Sequence, residues 1–485
     1  MEILSKAMTG GKDRPVRVVQ FGEGNFLRAF VDYMIDIANE QGKFDGSVVL
    51  VKPRDTGSLE EFCRQDCQYT VSLRGLVQGE AKVLNRQITC VADAVHSYSE
   101  YEKYMALAEN DTLRFVVSNT TEAGIVYDPE DRFELEPPVS FPGKLTKFLY
   151  RRYEFFGGSR EKGLVMLPAE LIDDNGAVLK KCVMQLAERW GLGDAFRTWV
   201  EEACIFASTL VDRIVTGYPR ETQEEEWKAL GYEDRLLVIG EPFALWVIES
   251  PRDISGEFPL HEAGLPVIFT DNIKPYKQRK VRILNGAHTS FVLASYLCGN
   301  DTVKQSMEDR DIRDFMEKTV FEEVIPTLIL PEEELKTFAE DVMERFDNPY
   351  VKHALLSISL NSVSKWRTRC MPSLLEYAEK YGKLPRRLTF SLAALMAFYQ
   401  GSEIRGGALT GSRDGQEYCI RDDREVLEFF RCNCGKDSGS FAADFLGNED
   451  FFGQDLTRVP GLADAVAEYL EDIRTKGMRA ALKAV

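Results

Sequence analysis

Apolar positions in the first half of the chain follow two periods in alternation. The segment RPVRVVQFGEGNFLRAFVDYMIDIANEQG opens with an apolar run, passes a glycine turn and enters a helical pattern. Phe26, Phe30, Met34 and Ile37 recur at helical spacing there and predict one buried face. The β-branched run GSVVLV follows, ending near Val51, so the opening of the chain reads as a βαβ unit with parallel strands. From about Gln68 to Asp93 several short β-like runs, YTVSLRG and RQITCVAD among them, predict a β excursion inserted in the wound domain. The alternation resumes with SYSEYEKYMALAEN as helix, LRFVVSN as strand, KLTKFLYRRYEFF as helix and GLVMLPAEL as strand, then a helix from about Ala177 to Trp190. Apolar runs at IFASTLVDRIV, RLLVIG, FALWVIE and LPVIFT extend the sheet region.

From about Pro275 the pattern changes, and the rest reads almost entirely as helices. VRILNGAHTSFVLASYL, DIRDFMEKTVFEEVIPTLI, LTFSLAALMAFY and LADAVAEYLEDIRTKGMRAAL all carry the longer period. The fold class predicted is α/β: a wound domain with a β excursion over residues 1–272, then a mostly α-helical domain over 273–485. A chain of 485 residues is too long for one ordinary core, which supports two domains.

Composition narrows the functional classes. Hydrophobic residues at 44% and charged residues at 28% suit a soluble globular enzyme rather than a disordered chain. A formal net charge of −18 argues against nucleic-acid or anionic-membrane partners, which require exposed positive charge. It leaves room for a small anionic substrate, since a few local cations suffice for one carboxylate. The opening MEILSKAMTGGKDRP has no apolar run of signal-peptide length, and no segment approaches a spanning helix, so a cytoplasmic location is expected. The ten cysteines are expected to be reduced, and the local pairs Cys63/Cys67 and Cys432/Cys434 each lack a matching second pair. The four histidines, His96, His261, His288 and His353, form no HExxH pattern, so no catalytic metal is expected.

Gly22 and Gly24 follow the first predicted strand and precede a helix. Such a turn lets a dinucleotide's pyrophosphate approach the backbone and the free N–H groups of the helix. The run is GEGNFL, with Leu27 where a third glycine would complete GxGxxG, and a plain strand-to-helix turn would also produce GxG. The second strand ends in VKPRD, where Lys52 and Arg54 precede Asp55, so the residues leave NAD and NADP both open. Asn119 and Thr120, in SNTTEAG after the strand LRFVV, would face the cofactor crevice, although small polar residues are ordinary in such loops.

The sharpest chemical constellation is DNIKPYKQRKVRILNGAHTSF. Lys280, Asn285 and His288 fall at roughly 0°, 140° and 80° around a regular helix, one arc within an otherwise apolar segment. Ketone reduction by hydride needs a proton donor for the developing alkoxide and dipoles that stabilise its charge. A partly desolvated Lys280 can supply the proton, Asn285 an amide N–H, and His288 a hydrogen bond to substrate hydroxyls. The competing reading is a solvated helix face with one satisfied histidine.

Lys-x4-Asn-x2-His resembles the catalytic signature of the long-chain polyol dehydrogenase family, which includes mannitol dehydrogenase and the hexuronate reductases. QFGEGNFLRAF is similar to the family's cofactor loop and STLVDRIVTGYP to its VDRI element, and the resemblance runs from about Val16 to Met478. It implies a Rossmann-type domain joined to a helical C-terminal domain, NAD as cofactor and no metal. It makes Lys280 the general acid/base, with Asn285 stabilising the oxyanion and His288 in the substrate site. Asp212 and Lys365 become substrate-binding residues, and Phe21, Gly22, Gly24, Asn25, Phe26, Asn119 and Thr120 the cofactor contacts. NTTEAG, ELIDDNG, DNIKPYK and ILNGAHT place the resemblance nearer the hexuronate reductases and imply hydride transfer between NAD and the D-altronate/D-tagaturonate pair.

Two departures matter. Polyol enzymes carry DNIPxNG where this chain has ELIDDNG, which puts Leu171 in place of a second oxyanion-hole asparagine, and Ser357 replaces a polyol-binding arginine. Both fit a site moved from neutral polyols toward a uronate. Lys274, Lys277, Lys365 and Arg369 are the candidate cations for its carboxylate. A fructuronate or mannitol-type activity is the nearer alternative, and a non-catalytic dinucleotide sensor the more distant one. Oligomeric state is open.

Overall fold

A computed structural model describes residues 1–120 and 124–485; Thr121, Glu122 and Ala123 of the NTTEAG run lie outside the described residues. The chain divides into two compact units, Met1–Gly75 with Lys82–Ile273, and Leu76–Ala81 with Lys274–Val485.

The first unit is built on β1 (Val16–Phe21), β2 (Ser47–Lys52), β3 (Tyr69–Val77), β4 (Glu80–Ile88), β5 (Val91–His96), β6 (Phe115–Ser118), β7 (Val165–Pro168) and β8 (Ile205–Phe206). Six of these form one sheet in the order β5-β2-β1-β6-β7-β8, and every neighbouring pair in it is parallel. That is the Rossmann order, in which the chain winds outward from β1 in both directions. The inner strands are buried mostly on both faces because helices cover both. β2 is buried along its whole length. One core layer gathers Val18, Leu50, Val117 and Leu167 against the Phe30, Met34 and Trp246 side. The other gathers Phe21, Val51, Val116 and Met166 against Phe148, Leu179 and Trp199.

The predicted helix after β1 forms, but with a π-helical turn at Arg28–Asp32 between Asn25–Leu27 and Tyr33–Glu40. The extra residue per turn rotates the buried face. Leu27, Phe30, Val31, Met34, Ile35 and Ala38 are buried, while Phe26 and Ile37 are only half-buried.

The β excursion is real but narrower than its sequence pattern. RQITCVAD divides into the end of β4 and the start of β5, and β5 is an outer strand of the parallel sheet itself. The later apolar runs do not extend that sheet beyond β8. Instead β9 (Ser208–Asp212), β10 (Val215–Gly217), β11 (Val238–Gly240), β12 (Leu245–Glu249) and β13 (Val267–Thr270) make two smaller sheets, β10-β11-β3-β4 and β13-β12-β9. Alternating apolar positions identify a strand but not its neighbour, so the pattern could not separate three sheets.

The second unit is mostly helical, with the apolar helices Gly286–Leu297 and Arg386–Phe398 at its centre. It also contains an antiparallel sheet that helical periodicity did not predict: β14 (Ile404–Arg405), β15 (Ala408–Arg413) and β16 (Gln416–Ile420). Its turns carry the signal in hindsight, since Gly406/Gly407 and Asp414/Gly415 all have positive φ, as a two-residue hairpin turn requires. Gly477, also at positive φ, divides the last predicted helix into Leu462–Lys476 and Met478–Lys483. No helix of the described residues is long and apolar enough to cross a membrane.

Candidate active site

The strand order of the parallel sheet reverses between β1 and β6, and ligands of wound sheets bind at the carboxyl ends of the strands flanking such a reversal. Gly22 leaves β1 with φ of 124°, its N–H donating to the Val51 carbonyl at 3.0 Å. A Cβ there would lie 3.3 Å from Leu27 Cδ1, so Leu27 supplies the tight packing beneath the turn that a third glycine would otherwise allow. A Cβ on Gly24 would meet nothing within 4 Å, because the position opens onto a cavity of about 780 Å³. Gly22, Gly24, Asn119 and Thr120 all line that cavity. Thr120 is anchored through its N–H and hydroxyl, both 2.9 Å from Glu170 Oε1, and Ser118 Oγ donates to Glu170 Oε2 at 3.0 Å. Burial raises the Glu170 pKa against the pull of those bonds.

Phe21, Asn25 and Phe26 do not line the cavity with their side chains. The Phe21 ring is in the core against Tyr104, Phe141 and Phe148, and Phe26 stacks on Phe30 at 5.0 Å. Asn25 Oδ1 accepts from Arg28 Nη2 at 2.8 Å. These three side chains shape the loop from behind. Two cavity residues escaped sequence reasoning. Glu23 accepts from Lys52 Nζ at 2.5 Å, so the cation at the end of β2 is neutralised within the loop itself. Lys144 donates to the Pro138 and Val139 carbonyls at 2.6 and 2.7 Å, and burial pushes its pKa down to about 8. A lysine in KLTKFLYRRYEFF reads as an ordinary helix-surface charge, so no signal marked it.

The Lys280–Asn285–His288 set lies in the second unit on a helix of three parts: α-helical Lys274–Arg279, π-helical Lys280–Asn285 and α-helical Gly286–Leu297. The uniform advance of about 100° per residue assumed from the sequence therefore does not hold here. In a π turn residue i bonds to i+5, which brings Lys280 and Asn285 much nearer to one line than a regular helix would. Neighbouring arginines brace the segment. Arg279 Nη1 reaches Glu334 at 2.5 Å, and Arg282 Nη2 reaches Glu376 at 2.7 Å.

Asn285 Oδ1 and His288 Nε2 are both shielded from solvent and have no hydrogen-bond partner among the described residues. Buried polar atoms are nearly always paired, so two orphans one helical turn apart mark where a ligand's polar groups belong. The His288 ring stacks on Phe346 with centroids 4.1 Å apart, and the edge of His353 meets it at 5.5 Å. Its pKa is driven well below 6.5, first by burial and then by His353 and the positive charges of Arg345, Arg369 and Lys365. His288 is thus a neutral imidazole surrounded by cations. Arg345 and Phe346 end the helix Glu332–Phe346, and nothing in that amphipathic stretch singled them out.

Lys365 and Arg369 stand one turn apart on the helix Ser362–Arg369. Lys365 Nζ donates to the Ile358 carbonyl at 2.9 Å, and burial with the nearby Arg369 lowers its pKa. Asp212 is in the first unit, buried at the end of β9 opposite Leu245 of β12. Leu171 is 61% exposed. Asn175 nearby cannot replace the lost amide, because its Nδ2 already serves the Pro168, Glu170 and Thr209 carbonyls. Ser357 is exposed. Among the described residues no group of three or more His, Cys, Asp or Glu could hold a metal ion.

The fold is that of a dehydrogenase family, and the chain belongs to it: the mannitol dehydrogenase Rossmann domain matches residues 16–261 and the mannitol dehydrogenase C-terminal domain residues 272–474. Within the family it is similar to altronate oxidoreductases. It is 46% identical to that of Yersinia enterocolitica serotype O:8 / biotype 1B, over 100% of both chains. It is 47% identical to that of Pectobacterium atrosepticum and 45% identical to that of Escherichia coli O7:K1, over 100% of this chain and 99% of each relative. Two solved structures share the fold. A substrate-free D-sorbitol dehydrogenase superposes with a TM-score of 0.82 at 22% identity, covering 99% of this chain and 100% of the other. Pseudomonas fluorescens mannitol 2-dehydrogenase, in a ternary complex with NAD and D-mannitol, gives 0.67 at 21% identity over 100% and 99%.

Proposed function

We propose that this enzyme interconverts D-tagaturonate and D-altronate with NAD as the hydride carrier. The observation that carries the reading is 45–47% identity to altronate oxidoreductases along the whole chain. The residues fit the cofactor: Gly22 and Gly24 leave a cradle free of Cβ atoms, and the cavity beside them suits a ligand with a charged diphosphate and flat rings. The Glu23–Lys52 pair neutralises one of the two cations, Lys52 and Arg54, that line the cavity at the end of β2, and a neutralised Lys52 favours NAD over NADP. On this reading residues 1–272 hold the cofactor and residues 273–485 supply the acid/base chemistry.

When bound, NADH supplies the hydride that adds to the substrate's carbonyl carbon. Lys280 passes an ammonium proton to the oxygen as that bond forms, and takes it back in the direction of oxidation. Asn285, across the π turn, donates an amide hydrogen bond to the oxygen while its charge develops. His288, neutral and fixed against Phe346, meets a substrate hydroxyl through its unpaired Nε2. Asp212 and Lys365 bind the remaining sugar hydroxyls and carboxylate. A net charge of −18 argues against nucleic acid or an anionic membrane as partner and leaves room for a small sugar acid held by a few local cations.

The test follows NADH absorbance with D-tagaturonate, D-fructuronate and D-fructose in parallel, then repeats each with NADPH. Selective oxidation of NADH by D-tagaturonate is expected. Preference for another ketose overturns the substrate, and no turnover with any of them overturns the enzyme.

A further inference from the structure

Several buried or partly buried arginines of the second unit pair with a carboxylate. Arg279 pairs with Glu334, Arg282 with Glu376, Arg387 with Glu323 and Arg413 with Asp301. Arg369 differs. Its half-buried guanidinium makes one long hydrogen bond, Nη1 to Thr289 Oγ1 at 3.4 Å, and has no carboxylate partner among the described residues. A desolvated guanidinium without an anion is unfavourable, and burial accordingly lowers its pKa. Lys365, one turn earlier, repeats the pattern, since its Nζ bonds a backbone carbonyl rather than an acid. Asp422 is near enough to bear on the charge of Lys365, but among the described residues no carboxylate is paired with Arg369. An under-partnered guanidinium beside a second cation describes a receptor for an anion.

The position of Arg369 is closely fixed. Thr289 Oγ1, which its guanidinium touches, itself donates to the Asn285 carbonyl at 2.9 Å. A Cβ on Gly286 would come within 3.1 Å of the Arg369 carbonyl oxygen, so the two helices approach as closely as glycine permits immediately after Asn285. Cys370 Sγ closes the contact on the Gly286 carbonyl at 3.6 Å. Arg369 is therefore held against the helix that carries Asn285 and His288, and its charge bears on His288.

We infer that Arg369, assisted by Lys365, binds the substrate's carboxylate and so determines that the enzyme takes a sugar acid rather than a neutral ketose. This rests on the sugar-acid reading above and resolves the cation that sequence left among four candidates. A guanidinium beside a carboxylate forms the strongest of the ordinary charge-assisted hydrogen bonds.

The experiment measures steady-state kinetics of wild type, Arg369→Gln and Arg369→Lys with D-tagaturonate and D-fructose, together with NADH affinity by fluorescence. Expected for Arg369→Gln is a KM for D-tagaturonate higher by about 100-fold, the weight of a charged hydrogen bond, with D-fructose kinetics and NADH affinity unchanged. Arg369→Lys should recover part of the loss. Equal losses for both ketoses, or none for D-tagaturonate, overturn the assignment. Wild type that ignores D-tagaturonate instead sinks the sugar-acid reading on which it rests. Should Arg369→Gln fail to fold, wild-type thermal shifts decide: D-altronate must stabilise the NAD-bound enzyme and D-mannitol at equal concentration must not.

Discussion

Lys280 and Asn285 bracket a single π-helical turn, five residues apart and bonded across that turn by the widened backbone. A regular helix would separate them by roughly 140°, and the π turn gathers the proposed proton donor and the oxyanion's amide toward one side. Lys280→Ala should therefore lower kcat by about 100-fold or more while NADH affinity stays within twofold. Stopped-flow turnover with fluorescence titration of NADH checks both, and near-normal turnover would remove Lys280 from the mechanism.

The His288 imidazole should remain neutral at pH 6, because burial and the surrounding cations depress its pKa well below 6.5. Ring-nitrogen shifts in histidine-labelled protein report this directly. A titration centred near 6.5 would show that the ring is not enclosed as described. For stability the sign is fixed: below pH 6.5 the unfolded chain takes up a proton that the folded ring refuses, so this site loses stability as the pH falls.

Asp32 acts in the opposite sense. It lies in the π turn under the cofactor loop, accepts from Tyr69 Oη at 2.7 Å, and burial raises its pKa to about 7 while Oδ1 goes unpartnered. Between the unfolded value of about 3.9 and about 7, the folded chain holds a proton that the unfolded chain has released, so stability falls as pH rises through that window. Asp32→Asn keeps an acceptor for Tyr69 and removes the charge. Its gain in Tm should be larger at pH 8.5 than at pH 5, and an equal gain at both would contradict a raised pKa.

Gly22→Ala should weaken NADH binding by about 10-fold, since φ of 124° is strained for alanine and its Cβ would press on Leu27. Circular dichroism should show the fold intact. Undiminished affinity would mean that the turn does not cradle the cofactor.

Glu23→Gln releases Lys52 from its ion pair at the end of β2. The kcat/KM ratio of NADPH to NADH should rise by about 10-fold, because a freed ammonium can meet a 2′-phosphate. An unchanged ratio would place the discrimination elsewhere in the cavity.

The parallel sheet was legible in the sequence because strands buried on both faces write continuous apolar runs, and helices between them write the longer period. Lys280, Asn285 and His288 were legible because they stand within one short helix. The π turn among them was not, since its backbone departs from the regular advance that spacing arguments assume. Nor was the β14–β16 sheet, where glycine turns spoke against the helical pattern around them.

What the sequence determined by itself was local: the wound α/β unit, the glycine turn after β1, and the helix that carries Lys280, Asn285 and His288. Tertiary structure alone decided which cations gather around His288. Arg345 comes from one helix and Lys365 and Arg369 from another, and Arg369 touches Thr289 across 80 residues of chain. It also decided that the Phe21 and Phe26 rings face inward from the cofactor loop, that Asn25 turns to Arg28 and that Glu23 neutralises Lys52. The reason is physical: periodicity records which face of an element avoids water. The partner of a charge depends on which other element packs there, and no single element encodes that.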